Sequence, residues 1–98
     1  MESDKIVEAI LKEYRNDKSF KEKGMNEKIN FLVKCIESDM SSGGDIMRAL
    51  YLDGKSFRAT ARSMYLSRGA VEYNKKKAVR QYAERFEQYF KTLNCLQN

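Results

Sequence analysis

The 98-residue chain contains no histidine, no proline and only two cysteines. Without histidine it lacks the usual general base near neutral pH and the commonest metal ligand. Two cysteines and no histidine exclude a Cys/His zinc cluster. No carboxylate pair stands out from ordinary helix-surface charge, so neither catalysis nor a metal or cofactor is expected. Cys35 and Cys95 lie far apart in segments that read as helical. They read as free thiols in a reducing cytoplasm, with a pairing that closes a long loop left open. No apolar run reaches the roughly 18 residues of a membrane span. The first ten residues, MESDKIVEAI, carry acids where a secretory leader needs a basic segment, so a cytoplasmic protein is expected.

Hydrophobic residues make up 42% and charged residues 34%, which supports one small core and a single domain over 1–98. The net charge of +5 is unevenly spread. Residues 1–54 hold nine basic and eleven acidic side chains. Residues 55–80 hold eight basic side chains (Lys55, Arg58, Arg62, Arg68, Lys75, Lys76, Lys77, Arg80) against one acid, Glu72. Residues 81–98 balance at zero. A basic excess confined to one short window has the scale of a footprint on a polyanion.

With no proline, the punctuation falls to glycine. Ile6, Val7, Ile10, Leu11 and Tyr14 form an apolar stripe at helical spacing, with Ser3 or Asp4 as cap. This N-terminal helix and a polar connector containing Phe20 fill 1–24. Supporting helices occupy 26–54. Ile29, Leu32, Val33, Ile36 and Met40 line the first of them, and SSGG at 41–44 is expected to end it. Asp45 is expected to cap a short helix that buries Ile46, Leu50 and Tyr51 and stops at Gly54. Ser56 starts the next helix, with Phe57, Ala61 and Met64 on one face. Ser67 caps a last helix reaching about Asn94, which spans roughly 40 Å. No segment alternates with period two. The fold class read from this pattern is all-α, about five helices, with an extra N-terminal helix and a long C-terminal helix extending over 81–96.

The informative segment is SFRATARSMYLSRGAVEYNKKKA, residues 56–78. It reads as two helices joined by a tight turn. Ala61 is small where the helices cross, Met64 and Leu66 flank the turn, and Val71 and Ala78 face the first helix of the pair. Over 55–80 this is the spacing of a helix-turn-helix, whose second helix enters the DNA major groove.

The stretch from Ile46 to Ala83 resembles the region 4 helix-turn-helix of bacterial sigma-70-type factors. It also looks like the small phage and mobile-element regulators of the ArpU/RinA-like kind. The elements that carry the resemblance are YLDG-S-F before the motif, Ala61, the Leu66–Ser67 turn exit, Val71 and the basic KKKAV run. They fall within about 40 of the 98 residues. Tyr65 stands where such families usually have glycine, and Thr60 and Asn74 stand where they have aliphatic side chains. The resemblance implies a bacterial, cytoplasmic transcriptional regulator that binds promoter double-stranded DNA, with RNA polymerase as a candidate partner. The chain has no room for a region 2, so promoter melting is not expected of it.

If Ser67 opens the recognition helix, its first turns meet base edges. Arg68, Gly69, Glu72, Tyr73 and Lys76 are the expected base contacts. Arg68 suits a bidentate guanine contact, and Gly69 lets the helix approach closely. Glu72 reads equally as an acceptor from cytosine and as an ion-pair partner of Lys76 or Arg68. Lys55, Ser56, Arg58, Arg62, Lys75, Lys77 and Arg80 are the expected phosphate contacts, although a run such as KKK is also an ordinary solvated face. Tyr82, Phe86, Tyr89, Phe90 and Leu93 form a distal aromatic stripe. It reads either as core or, through Phe86, Tyr89, Phe90 and Leu93, as a homodimer surface. The rival readings are a phage packaging-type DNA-recognition subunit and an adaptor that binds RNA polymerase or a sigma factor.

Overall fold

The computed structural model describes residues 2–17 and 27–97, and side chains within 3–17 and 27–91. It is all-helical, with five helices and no strand among the described residues. They are α1 (Glu2–Asn16), α2 (Glu27–Ser38), α3 (Ser42–Met47), α4 (Phe57–Ser63) and α5 (Arg68–Gln97). A π-helical turn, Arg48–Leu52, continues α3. Phe20 and Gly24 of the expected connector lie outside the described residues. So do the side chains of Leu93 and Cys95.

Apolar stripes at three- and four-residue spacing meet in one core. Val7 and Leu11 of α1, Leu32 and Ile36 of α2, Ile46 and Met47 of α3, and Leu50 of the π turn are all buried. Val71, Ala78, Val79, Tyr82, Ala83 and Phe86 of α5 close it. The long α5 is therefore the spine against which the other helices pack. Tyr14, Ile29 and Val33 form a second small cluster between α1 and α2. Ile6 departs from the expected stripe and is exposed.

The junction between α2 and α3 differs from its sequence reading. SSGG does not stop α2; it starts α3. Helix α2 ends at Ser38, and Ser41 caps α3 through its Oγ, which accepts from the Gly44 amide at 3.3 Å. Asp45 lies inside the first turn and pairs with Arg48 instead of capping. Gly44 is required by a close approach: a Cβ there would sit 2.1 Å from the Asp39 carbonyl oxygen. Because α2 ends early, Met40 leaves the stripe and is 89% exposed. Arg48 satisfies the loose end of α2 by donating to the Ile36 and Asp39 carbonyls, both at 2.8 Å.

Asp39 is the hub of this junction. It accepts from the Ser41 amide at 3.0 Å, the Ser41 hydroxyl at 2.6 Å and the Tyr82 hydroxyl at 2.7 Å. Burial raises its pKa, but the hydrogen bonds from Ser41 and Tyr82 outweigh burial and leave it below the usual carboxylate value. Tyr82 is pushed upward by burial and by Asp39. Helix α1 begins at Glu2, so Ser3 and Asp4 sit within its first turn, and Ser3 donates to Glu87 of α5 at 2.9 Å. Cys35 is buried and unpaired; burial raises its thiol pKa while nearby Arg85 opposes the rise.

Candidate nucleic-acid interface

The π turn ends at Leu52, and Gly54 just beyond its Asp53 cap has a φ of 70°, the left-handed conformation that glycine tolerates best. Ser56 then caps α4, its Oγ accepting from the Ala59 amide at 3.0 Å. At the far end of α4 the Leu66 amide bonds the Ala61 carbonyl at 2.9 Å and the Tyr65 amide bonds the Arg62 carbonyl at 3.3 Å. This pair of bonds is a Schellman stop, and Tyr65 is its left-handed residue, with φ 56°. Ser67 restarts the chain as a helix, its Oγ accepting from the Ala70 amide at 3.0 Å. Two helices thus follow one another across a four-residue turn, Met64 to Ser67.

Phe57, Met64 and Leu66 pack on the core from this hairpin, and Ala61 and Val71 are buried in its seam. Ala78 lies further along α5, against α3, where a Cβ on Gly43 would meet it at 3.5 Å. Thr60 is fully buried in the seam, and its Oγ1 has no partner among the described residues. Asn74 resolves its own polarity by donating to the Ala70 carbonyl at 2.8 Å.

The residues expected at base edges divide into two sets. Gly69, Tyr73 and Lys76 recur at helical spacing along one exposed stripe of α5, which Lys77 and Arg80 of the expected phosphate contacts extend. Tyr73 is 67% exposed there. Arg68 is also exposed, but its guanidinium lies over the Phe57 ring of α4, 5.9 Å from the ring centre. Glu72 sits 4.0 Å from Lys76, the ion pair that was one of its two expected roles. Gly69 has no internal reason to be glycine. A Cβ there would meet only the Ser67 Oγ, at 3.9 Å.

Of the residues expected at phosphates, Lys55, Arg58, Arg62, Lys77 and Arg80 are exposed. The Ser56 hydroxyl is already used as a cap. Lys75 corrects the reading of KKK as one unit. It turns inward, pairs with Glu8 of α1 at 2.8 Å, and its side chain is only 12% exposed. Its ammonium also lies 5.3 Å from the Phe57 ring centre. Burial works against its charge, but the bond to Glu8 and nearby Tyr51 outweigh that and raise its pKa. Lys75 is thus a structural tie between α5 and α1, its charge already met by a carboxylate.

The distal aromatics of α5 are part of the fold. Phe86 and Phe90 flank Phe31 of α2 edge-on at 6.2 and 5.8 Å, and Tyr89 stacks on it at 5.0 Å. Tyr89 remains exposed on its outer side. The sequence reading missed Phe57 as the ring beneath two cations and Glu8 as the partner of Lys75. Both pairings join distant parts of the chain. No protein-family model, curated protein or solved structure matches this chain. No helix of the described residues is long and apolar enough to cross a membrane.

Proposed function

We propose that the chain binds duplex DNA through α4 and α5 and acts as a sequence-specific transcriptional regulator. The first turns of α5 enter the major groove, and α4 lies across the sugar-phosphate backbone. Arg68, Gly69, Tyr73 and Lys76 face base edges. Lys55, Arg58, Arg62, Lys77 and Arg80 neutralise phosphates. The observation that carries the reading is that these seven cations are all exposed and cluster on one hairpin and the residue preceding it. Gly69 adds support: it packs against nothing that needs a glycine. Close approach of a groove wall supplies the missing reason.

The test is selection of bound duplexes from a random pool by the purified chain, followed by affinity against salt. An enriched motif is the expected result. Arg68→Ala then relaxes one base position at a loss of about 1–3 kcal/mol, whereas Lys77→Ala weakens all sequences alike. Five phosphate contacts give a slope of log K on log salt of about −4.5. A slope near zero, or no shift of any duplex, refutes the reading. In that case capture of RNA polymerase would favour the adaptor function. The exposed outer side of Tyr89 favours a second element, pairing of two chains at the distal end of α5. Light scattering tests it: a dimer fits a repeated operator, and a ring-sized oligomer would favour a packaging subunit.

A further inference from the structure

Tyr65 is the one non-glycine residue with positive φ among the described residues. A left-handed backbone is unfavourable for a bulky side chain, and a Schellman stop is best served there by glycine or asparagine. An unfavourable residue persists when its side chain earns its place by packing. Here the ring does not pack: Tyr65 is 96% exposed, the most exposed of the large apolar and aromatic side chains among the described residues. Nothing inside the fold accounts for a tyrosine at this site.

Its surroundings point outward. Tyr65 follows Arg62, in the last turn of α4, by three residues, and precedes Arg68, the first residue of α5, by three. Three residues span at most about 10 Å of chain, so Tyr65 lies within that distance, along the backbone, of two residues whose cationic side chains are exposed. It also lies in the turn that leads into α5, four residues before the unexplained Gly69. A phenol is neutral, carries one donor, and commonly bonds backbone phosphate oxygen in protein–DNA contacts.

We propose that Tyr65 is a DNA contact, its hydroxyl donating to a backbone phosphate at the edge of the groove that receives α5. This rests on the DNA-binding reading above and adds a residue that no charge count reveals. The left-handed turn aims the ring away from the core, and the cations on either side bring the phosphate within reach.

The experiment compares the full wild-type chain with Tyr65→Phe and Tyr65→Asn. Binding to a mixed-sequence 30-base-pair duplex, a length of about three helical turns, is read by fluorescence anisotropy across a salt series. Thermal unfolding is followed in parallel. Tyr65→Phe keeps the ring and the backbone strain and lacks only the hydroxyl. It is expected to bind about tenfold more weakly, as for loss of a hydrogen bond to a charged group. The loss should be equal at every salt concentration, because no charge is removed. Tyr65→Asn is expected to unfold at higher temperature and still bind more weakly. Wild-type affinity in Tyr65→Phe would overturn the proposal and leave the DNA-binding reading standing. A lower unfolding temperature in Tyr65→Asn would overturn it too, by giving the ring a role in the fold. If the wild-type chain binds no duplex, both readings fall together.

Discussion

Replacing Thr60 with valine is expected to make this protein more stable. Thr60 is fully buried between α4 and α5, and its hydroxyl finds no acceptor or donor among the described residues. An unsatisfied buried hydroxyl costs about 1–3 kcal/mol by mutational measures. Valine has nearly the same shape and a similar helix propensity, so the backbone of α4 is indifferent to the change. With an unfolding entropy of about 2.1 cal/mol/K per residue, 1 kcal/mol moves the midpoint of a chain this size by about 5 °C. Tm should therefore rise by about 5–15 °C. Urea denaturation should show a higher midpoint with an unchanged slope. Thr60→Ser retains the hydroxyl and loses a buried methyl, and is expected to be less stable than wild type by about 1 kcal/mol. If Thr60→Val is no more stable than wild type, the hydroxyl is bonded in solution. The Ser56 carbonyl one turn earlier would be the natural acceptor, and the account of the seam would be wrong.

Other substitutions probe the remaining joints. Gly44→Ala should destabilise by about 1–3 kcal/mol, because its Cβ would overlap backbone atoms of Asp39, whereas the neighbouring Gly43→Ala should be neutral or stabilising, its nearest contact being 3.5 Å. Chemical denaturation of the two variants separates them, and equal effects would contradict the close approach at Gly44. Lys75→Gln should lower the unfolding temperature yet leave the salt slope of DNA binding unchanged, since Glu8 already neutralises that ammonium; a slope reduced by about one would return Lys75 to the phosphate contacts. Asp39 has a folded pKa below its ordinary value near 3.8, so the stability it contributes is complete above that pH and is lost as pH falls through the lower folded value. Asp39→Asn should flatten the acid limb of a stability–pH curve, and an unchanged limb would mean that the Ser41 and Tyr82 bonds do not hold the carboxylate.

Local chemistry made much of this fold readable. Ser56, Gly54 and Ser67 mark helix limits through bonds to their own neighbours, so a short window contains the whole cause. The apolar stripes of α1 and α2 are equally local and were placed correctly apart from Ile6 and Met40. SSGG was misread because glycine has two uses. A stop needs its positive φ, whereas Gly44 is needed for its missing side chain beside the Asp39 carbonyl. Only the path of another backbone segment distinguishes them. In the candidate interface, Lys75, Lys76 and Lys77 are identical in sequence terms. The difference between them comes from Glu8, near the other end of the chain. The Arg68–Phe57 contact crosses the turn, whose left-handed residue is a tyrosine rather than the glycine that signals such a turn in sequence.

Helix α5 runs unbroken for 30 residues, from the residues proposed to read DNA to those stacked on Phe31. At 1.5 Å per residue this is a shaft of roughly 45 Å. Such a shaft has no joint at which motion could be absorbed. A tilt of about five degrees at its aromatic end swings the leading tip by roughly 4 Å, close to the rise of one base-pair step. On the proposed DNA-binding reading, a tilt imposed at the tail would change the angle at which the tip meets the duplex, so contacts far from the groove would bear on which sequence is read.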